Sequence, residues 1–137
     1  LHAFDSLRVE AGILLWGREL TTETGPLQAG LGHLVDAGKG DFIGRRAVAK
    51  ERRSGRRLRL ARLMIEAKGA VARIGEGVLD GDAVAGLVTS AGYGHGLGKS
   101  IAFTYLAPGL AEPGKELAVK INGRRRLAVV AEPPARA

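Results

Sequence analysis

The segment that most invites a chemical reading is Gly92-Tyr93-Gly94-His95-Gly96-Leu97-Gly98-Lys99-Ser100. It ends in Gly-Lys-Ser, as does the phosphate-binding loop of nucleotide hydrolases, where backbone N–H groups and a lysine cradle phosphates. That loop needs a glycine five residues before its second one, and Tyr93 stands there. It also needs a helix to follow, whose N-terminus helps hold the anion. Ile101 to Tyr105 alternates like a strand instead. The dinucleotide pattern Gly-x-Gly-x-x-Gly fails too, at Leu97 in one place and at Val35 in another. His2, His33 and His95 are far apart in a chain without cysteine, which argues against a zinc site. His95, beside Tyr93 in a glycine-rich loop, is the one to watch; a turn histidine bonded to nearby backbone is the plainer reading. Asp80 and Asp82 flank Gly81, where a tight turn already accounts for both. Arg8 and Glu10 lie in an otherwise apolar segment ahead of Trp16. A charge in such a segment is either paired in the core or faces a cleft, and the sequence leaves both open.

The elements that must carry these residues follow from periodicity. Phe4, Leu7, Ala11, Leu14 and Leu15 recur at helical spacing, so a helix is expected from Phe4 to Leu15. Gly25-Pro26 marks a loop, and Leu27, Ala29, Leu31, Leu34 and Val35 make an apolar patch after it. A short helix is expected over about 43–54, with Ile43, Ala47 and Val48 on its apolar side and Gly55 ending it. From residue 57 the period changes to two. Six strands are expected at about 58–66, 76–80, 84–91, 99–106, 116–121 and 124–131. Asn122-Gly123 is a strong signal for a two-residue hairpin turn. In the first strand Leu58 and Leu60 are out of phase with Leu63 and Ile65, which predicts a bulge near Arg62. The reading is an α+β chain, mostly β. A helical and loop segment is followed by six antiparallel strands, forming a small closed barrel or sandwich.

The chain has 137 residues, 45% hydrophobic and 26% charged, which is enough for a real core. These are not the values of a disordered chain. No apolar stretch approaches the roughly 20 residues of a membrane span, and no basic start leads into an apolar stretch as in a secretory signal. The first residue is Leu rather than Met, and a piece of a longer protein is expected. The formal charge is +7, and nine basic residues from Arg45 to Arg62 face Glu51 alone, so this window carries +8. Clustered arginine can mark a polyanion partner. A solvated helix face explains it as well, and single-strand binders need aromatic platforms that the window lacks.

Seven segments in order make a larger pattern. They are Ser6-Leu-Arg-Val-Glu-Ala-Gly12, Leu15-Trp-Gly-Arg-Glu-Leu20, Thr24-Gly-Pro-Leu-Gln-Ala-Gly-Leu-Gly32, Lys39-Gly-Asp-Phe-Ile-Gly44, Val88-Thr-Ser-Ala-Gly-Tyr-Gly94, Gly98-Lys-Ser-Ile-Ala102 and Ala128-Val-Val-Ala-Glu-Pro133. Together they resemble the C-terminal part of the glycine-cleavage T-protein (aminomethyltransferase) superfamily. The wording of the second segment and of Gly92 to Ser100 looks closest to its dimethylglycine and sarcosine dehydrogenase branch.

The resemblance implies that residues 1–55 finish a folate-binding module and that 56–137 form a six-stranded antiparallel β-barrel. It implies transfer of a one-carbon unit from an aminomethyl or N-methyl donor to tetrahydrofolate. It places the assisting aspartate in an N-terminal portion, and any FAD in a domain upstream of that. No catalytic residue is therefore assigned in this chain. Arg8, Glu10, Trp16, Tyr93 and His95 match motif positions and are the candidate folate contacts. Phe4 departs from the pattern, since the T-protein branch carries there an arginine that helps hold folate. Upstream domains of the same protein, or a separate subunit, are the implied partners, with a cytoplasmic setting and no membrane. The basic window then gains a further reading, as a surface drawing the polyglutamate tail of folate. The alternatives are a structural or interaction barrel without catalysis, and a basic nucleic-acid-binding module.

Overall fold

A computed structural model describes residues 2–55 and 58–133. Two α-helices, α1 (His2–Ala11) and α2 (Arg45–Ser54), precede six strands. These are β1 (Arg59–Ile65), β2 (Gly77–Asp80), β3 (Ala83–Gly94), β4 (Lys99–Leu106), β5 (Glu116–Ile121) and β6 (Arg124–Ala131). All pairs are antiparallel, and the order β1-β4-β3-β2-β5-β6 closes on itself as a barrel. Closure leaves no open sheet edge. The interior is filled by the inward-facing half of each strand, including Leu63, Ile65, Val78, Val88, Leu106, Val119, Ile121 and Val130. Asn122 (φ 50°) and Gly123 (φ 76°) are both left-handed, as the two-residue turn between β5 and β6 requires.

The expected bulge at Arg62 is absent. The ladder between β1 and β4 runs unbroken from the Arg59–Leu106 pair to the Ile65–Ser100 pair. The phase break has another cause: β1 is covered on both faces. Ala61, Leu63 and Ile65 point into the barrel. Leu60 and Met64 point outward, onto a second small core of Val9, Ile101 and Phe103. The ladder irregularities lie elsewhere, at Val78/Leu79 and at Val88/Ser90. β3 is also longer than expected. Gly92, Tyr93 and Gly94 pair with Ile101, Ser100 and Lys99, so the glycine-rich segment is mostly a hairpin arm.

That second core is where the N-terminal segment docks. α1 lies across the outer wall formed by β3 and β4. It stops at Ala11, not Leu15. Gly12 (φ 77°) donates to the carbonyl of Val9 and Ile13 to that of Arg8, at 3.2 and 2.8 Å. This paired arrangement after a left-handed glycine is how many helices end. The buried stripe of α1 also differs from the apolar one expected. Arg8 and Val9 are enclosed, while Phe4 and Leu7 are exposed. α2 buries no residue, and Ile43 before it is fully exposed. Among the described residues its side-chain tie to the rest of the chain is Glu51, whose carboxylate accepts the Gln28 N–H at 3.0 Å. No described helix is long and apolar enough to cross a membrane.

Leu63 is fully buried at the centre of the barrel. Leu63→Ala should lower stability by about 2–5 kcal/mol through lost transfer energy and the cavity left behind. The urea midpoint, followed by circular dichroism, measures this.

Candidate functional site

Arg8 is the centre of a polar cluster between α1 and the barrel wall. It is 2% exposed. Its Nε donates to Asp5 Oδ1 at 2.9 Å, and Nη2 donates to Ser90 Oγ at 2.8 Å. Its Nη1 donates to Glu19 Oε2 and to the Ile13 carbonyl, both at 3.4 Å. Glu19 is fully buried. It accepts the Leu15 N–H at 3.1 Å and the Thr89 hydroxyl at 2.8 Å. Its backbone carbonyl accepts the Tyr105 hydroxyl at 2.8 Å. A buried carboxylate is tolerated because each of its oxygens has a donor and a cation stands beside it. Burial pushes the Tyr105 hydroxyl up to about 12, opposed by Thr24 and helped by the Glu19 charge.

Glu10 makes a second clasp. Its carboxylate accepts the Gly96 N–H at 3.3 Å, in the turn that joins β3 to β4. The glycines of this hairpin make room for α1. A Cβ at Gly92 would stand 3.1 Å from Ser6 Cα, and one at Gly94 would stand 2.7 Å from Ile101 Cδ1. Tyr93 and His95 meet edge to face, with ring centroids 5.0 Å apart. Lys99, which follows, pairs with Glu66 at the end of the neighbouring strand β1. The Gly-Lys-Ser sequence is thus strand and ion pair, with no helix after it.

The structure therefore brings Arg8 and Glu10 to the joint between α1 and the β3–β4 hairpin, while Tyr93 and His95 stand on that hairpin and contact each other. Trp16 lies on the loop after α1 and is 67% exposed. Asp5, Glu19, Thr89, Ser90 and Tyr105 complete the joint and were not singled out from the sequence. The signal was present, because Glu19, Thr89 and Ser90 sit inside the motifs already quoted. The partner of each was not, since Arg8 and Ser90 are 82 residues apart. Among the described residues no group of three or more His, Asp or Glu side chains could hold a metal ion.

The basic window divides. Arg45, Arg46, Lys50, Arg52 and Arg53 stand on α2, and no ion pair involves them among the described residues. Arg59 pairs with Glu112 at 2.8 Å. Arg56 and Arg57 lie outside the described residues.

Comparison with known proteins bears on what this joint serves. Residues 58–135 match the family described as the glycine cleavage T-protein C-terminal barrel domain. The aminomethyltransferase of Thermosynechococcus vestitus is 41% identical over 134 residues, covering 98% of this chain and 36% of that protein. The aminomethyltransferase of Synechococcus elongatus is 40% identical over 135 residues, again covering 98% and 36%. The crystal structure of glycine cleavage system aminomethyltransferase T from Bartonella henselae superposes with a TM-score of 0.87 at 28% identity. That match covers 96% of this chain and 37% of the solved one. The chain spans little more than a third of the length of the curated relatives it matches.

Two outcomes test the joint. Arg8→Met alone strands the buried Glu19 carboxylate and should cost about 3–5 kcal/mol, whereas Glu19→Leu leaves Arg8 its ion pair with Asp5 and should cost less. The double variant should cost clearly less than the two added together, a coupling read from a double-mutant cycle in urea. Tyr105 contributes through its raised folded-state value. Its contribution is full below pH 10, the unfolded value, and fades as pH rises towards 12. Tyr105→Phe should flatten the alkaline loss of stability between those limits, measured as the urea midpoint against pH.

Proposed function

Because the chain belongs to the glycine cleavage T-protein C-terminal barrel family, we propose that it is the C-terminal part of a folate-dependent aminomethyltransferase-type enzyme. Its work is to form one wall of a tetrahydrofolate cavity that other parts of the enzyme complete. The observation that carries this reading is a contrast within the N-terminal segment. It is fixed to the barrel by Arg8, Glu10 and Glu19. Elsewhere along it Phe4, Leu7, Ile13, Trp16, Leu34 and Ile43 are exposed to solvent. Apolar residues gathered on one segment mark a surface that another body covers. The upstream domains of the same protein, or a separate subunit, are that body. Residues 1–55 are then the end of the folate-binding module, and 56–137 the barrel that holds it.

The residues present fit a wall and not a closed site. Trp16 offers an exposed indole on which a flat ring system can stack. Tyr93 and His95 lie on the barrel side of the joint. Glu10 is committed to Gly96, and Arg8 is enclosed, so both act by positioning the segment that carries Trp16. Tetrahydrofolate, when bound, accepts the one-carbon unit. This chain orients and shields it, and by itself turns over nothing. The wording of Leu15 to Leu20 and of Gly92 to Ser100 favours the dimethylglycine and sarcosine dehydrogenase branch, with FAD in an upstream domain and a cytoplasmic setting.

Calorimetry with tetrahydrofolate tests the reading. The chain is titrated alone, and again as a chimera in which it replaces the matching third of the Synechococcus elongatus aminomethyltransferase. Binding by the chimera and not by the isolated chain is expected. No binding by either sinks the folate reading and leaves a structural barrel with a different partner.

A further inference from the structure

Beside the joint lies an open cleft of about 980 Å³, bounded by residues 11–14 and 27–33, the end of α2, and parts of β1 and the end of β6. This is the size of a site for a small organic molecule. Just over half of its wall is apolar, with Leu14, Leu27, Leu31, Leu60, Phe103 and Pro113 contributing. Its charges are lopsided. Arg52, Arg59 and Arg62 line it against a single acid, Glu132. Arg59 already has Glu112.

Arg62 is the unusual member. It sits on β1, half-buried, with its side chain on the outer face that Leu60 and Met64 share. Its Nη1 donates to the Glu10 carbonyl and its Nη2 to the Glu132 carbonyl, both at 3.1 Å. Its Nε is buried and has no acceptor. No carboxylate stands within ion-pair distance of it among the described residues. The Glu10 carbonyl belongs to the last turn of α1, and the end of a helix supplies only about half an elementary charge. Burial accordingly lowers its pKa from the ordinary arginine value. A guanidinium has five N–H donors, and only two are used here. A half-desolvated cation without a counter-anion, at the side of an apolar cleft, is an unbalanced charge.

We propose that this cleft binds a small amphipathic carboxylate, with its apolar body between Leu31, Leu60 and Phe103 and its anionic end held by Arg62 and Arg52. Charge complementarity selects the anion: the open side has two unpaired guanidinium groups and one carboxylate. The apolar walls select a ligand with a body, so a bare inorganic anion gains little there. The site uses neither Trp16 nor the β3–β4 hairpin, although residues 11–14 and 27–33 of its lining belong to the segment assigned above to the folate module.

The test uses the whole chain and three probes: 2-naphthoate, its neutral analogue 2-naphthylmethanol, and acetate. Affinities come from titration followed by amide chemical shifts. Naphthoate is expected to bind about tenfold or more tighter than the alcohol, as a hydrogen bond to a charged group implies. Acetate should bind far more weakly than naphthoate. Arg62→Gln should bring naphthoate to within about twofold of the alcohol, since it removes the charge and keeps a donor. Equal binding of naphthoate and the alcohol by the native chain would overturn the proposal, as would an undiminished preference in Arg62→Gln. Absence of any binding would overturn it too. If Arg62→Gln loses its fold by circular dichroism, the native shift map decides. Naphthoate perturbations centred on Leu31, Leu60 and Phe103 support the cleft, and perturbations centred elsewhere refute it.

Discussion

The ion pair between Arg8 and Glu19, shut between α1 and the barrel wall, is what the arrangement of the N-terminal segment depends on. Each charge has left water; Glu19 is held by Arg8, and Arg8 is shared between Glu19 and Asp5. Ser90 and Thr89 on β3, and Asp5 on α1, supply the remaining bonds. Apolar packing there is modest: Val9, Ile101 and Phe103, with Leu14, Leu60 and Met64 against them. Such a patch buries surface without choosing an orientation. The directional bonds of Arg8 and Glu19 choose one, and so fix how the loop bearing Trp16 leaves the barrel.

The barrel in turn is shaped to receive the helix. Side chains at Gly92 or Gly94 would strike α1 or Ile101. The hairpin therefore runs bare backbone beneath α1, and Glu10 reaches over its turn to Gly96. The same strands serve both cores. Ala61, Leu63 and Ile65 fill the barrel from one face of β1, and Leu60 and Met64 meet α1 from the other. A strand buried on both faces loses the alternation that marks a half-exposed one. This is the physical reason the sequence suggested a bulge at Arg62 where the ladder is regular.

Beyond this joint the segment is sparsely packed. α2 buries nothing, and its arginines and lysine stand free of carboxylates among the described residues. Glu51, the one acid in the basic window, ties it back through the Gln28 N–H. Of the described members of the charge run, Arg45, Arg46, Lys50, Arg52 and Arg53 stand on α2, and Arg59 and Arg62 belong to the barrel wall.

Local chemistry was legible in the sequence. Strand period, the Asn122-Gly123 turn, the Gly55 stop and the failure of Gly98-Lys99-Ser100 as a phosphate loop each depend on residues within a few positions of one another. Periodicity and turn preference therefore decide them. The seven motifs also marked the family, because their order along the chain is itself sequence information. Only the tertiary structure could decide which face of α1 is buried. The apolar spacing pointed to Phe4 and Leu7, but Arg8 is buried instead, since its partners Glu19 and Ser90 lie 11 and 82 residues away. A buried charge is stable only with a partner, and which residue that partner is depends on how strands far apart in the chain come together.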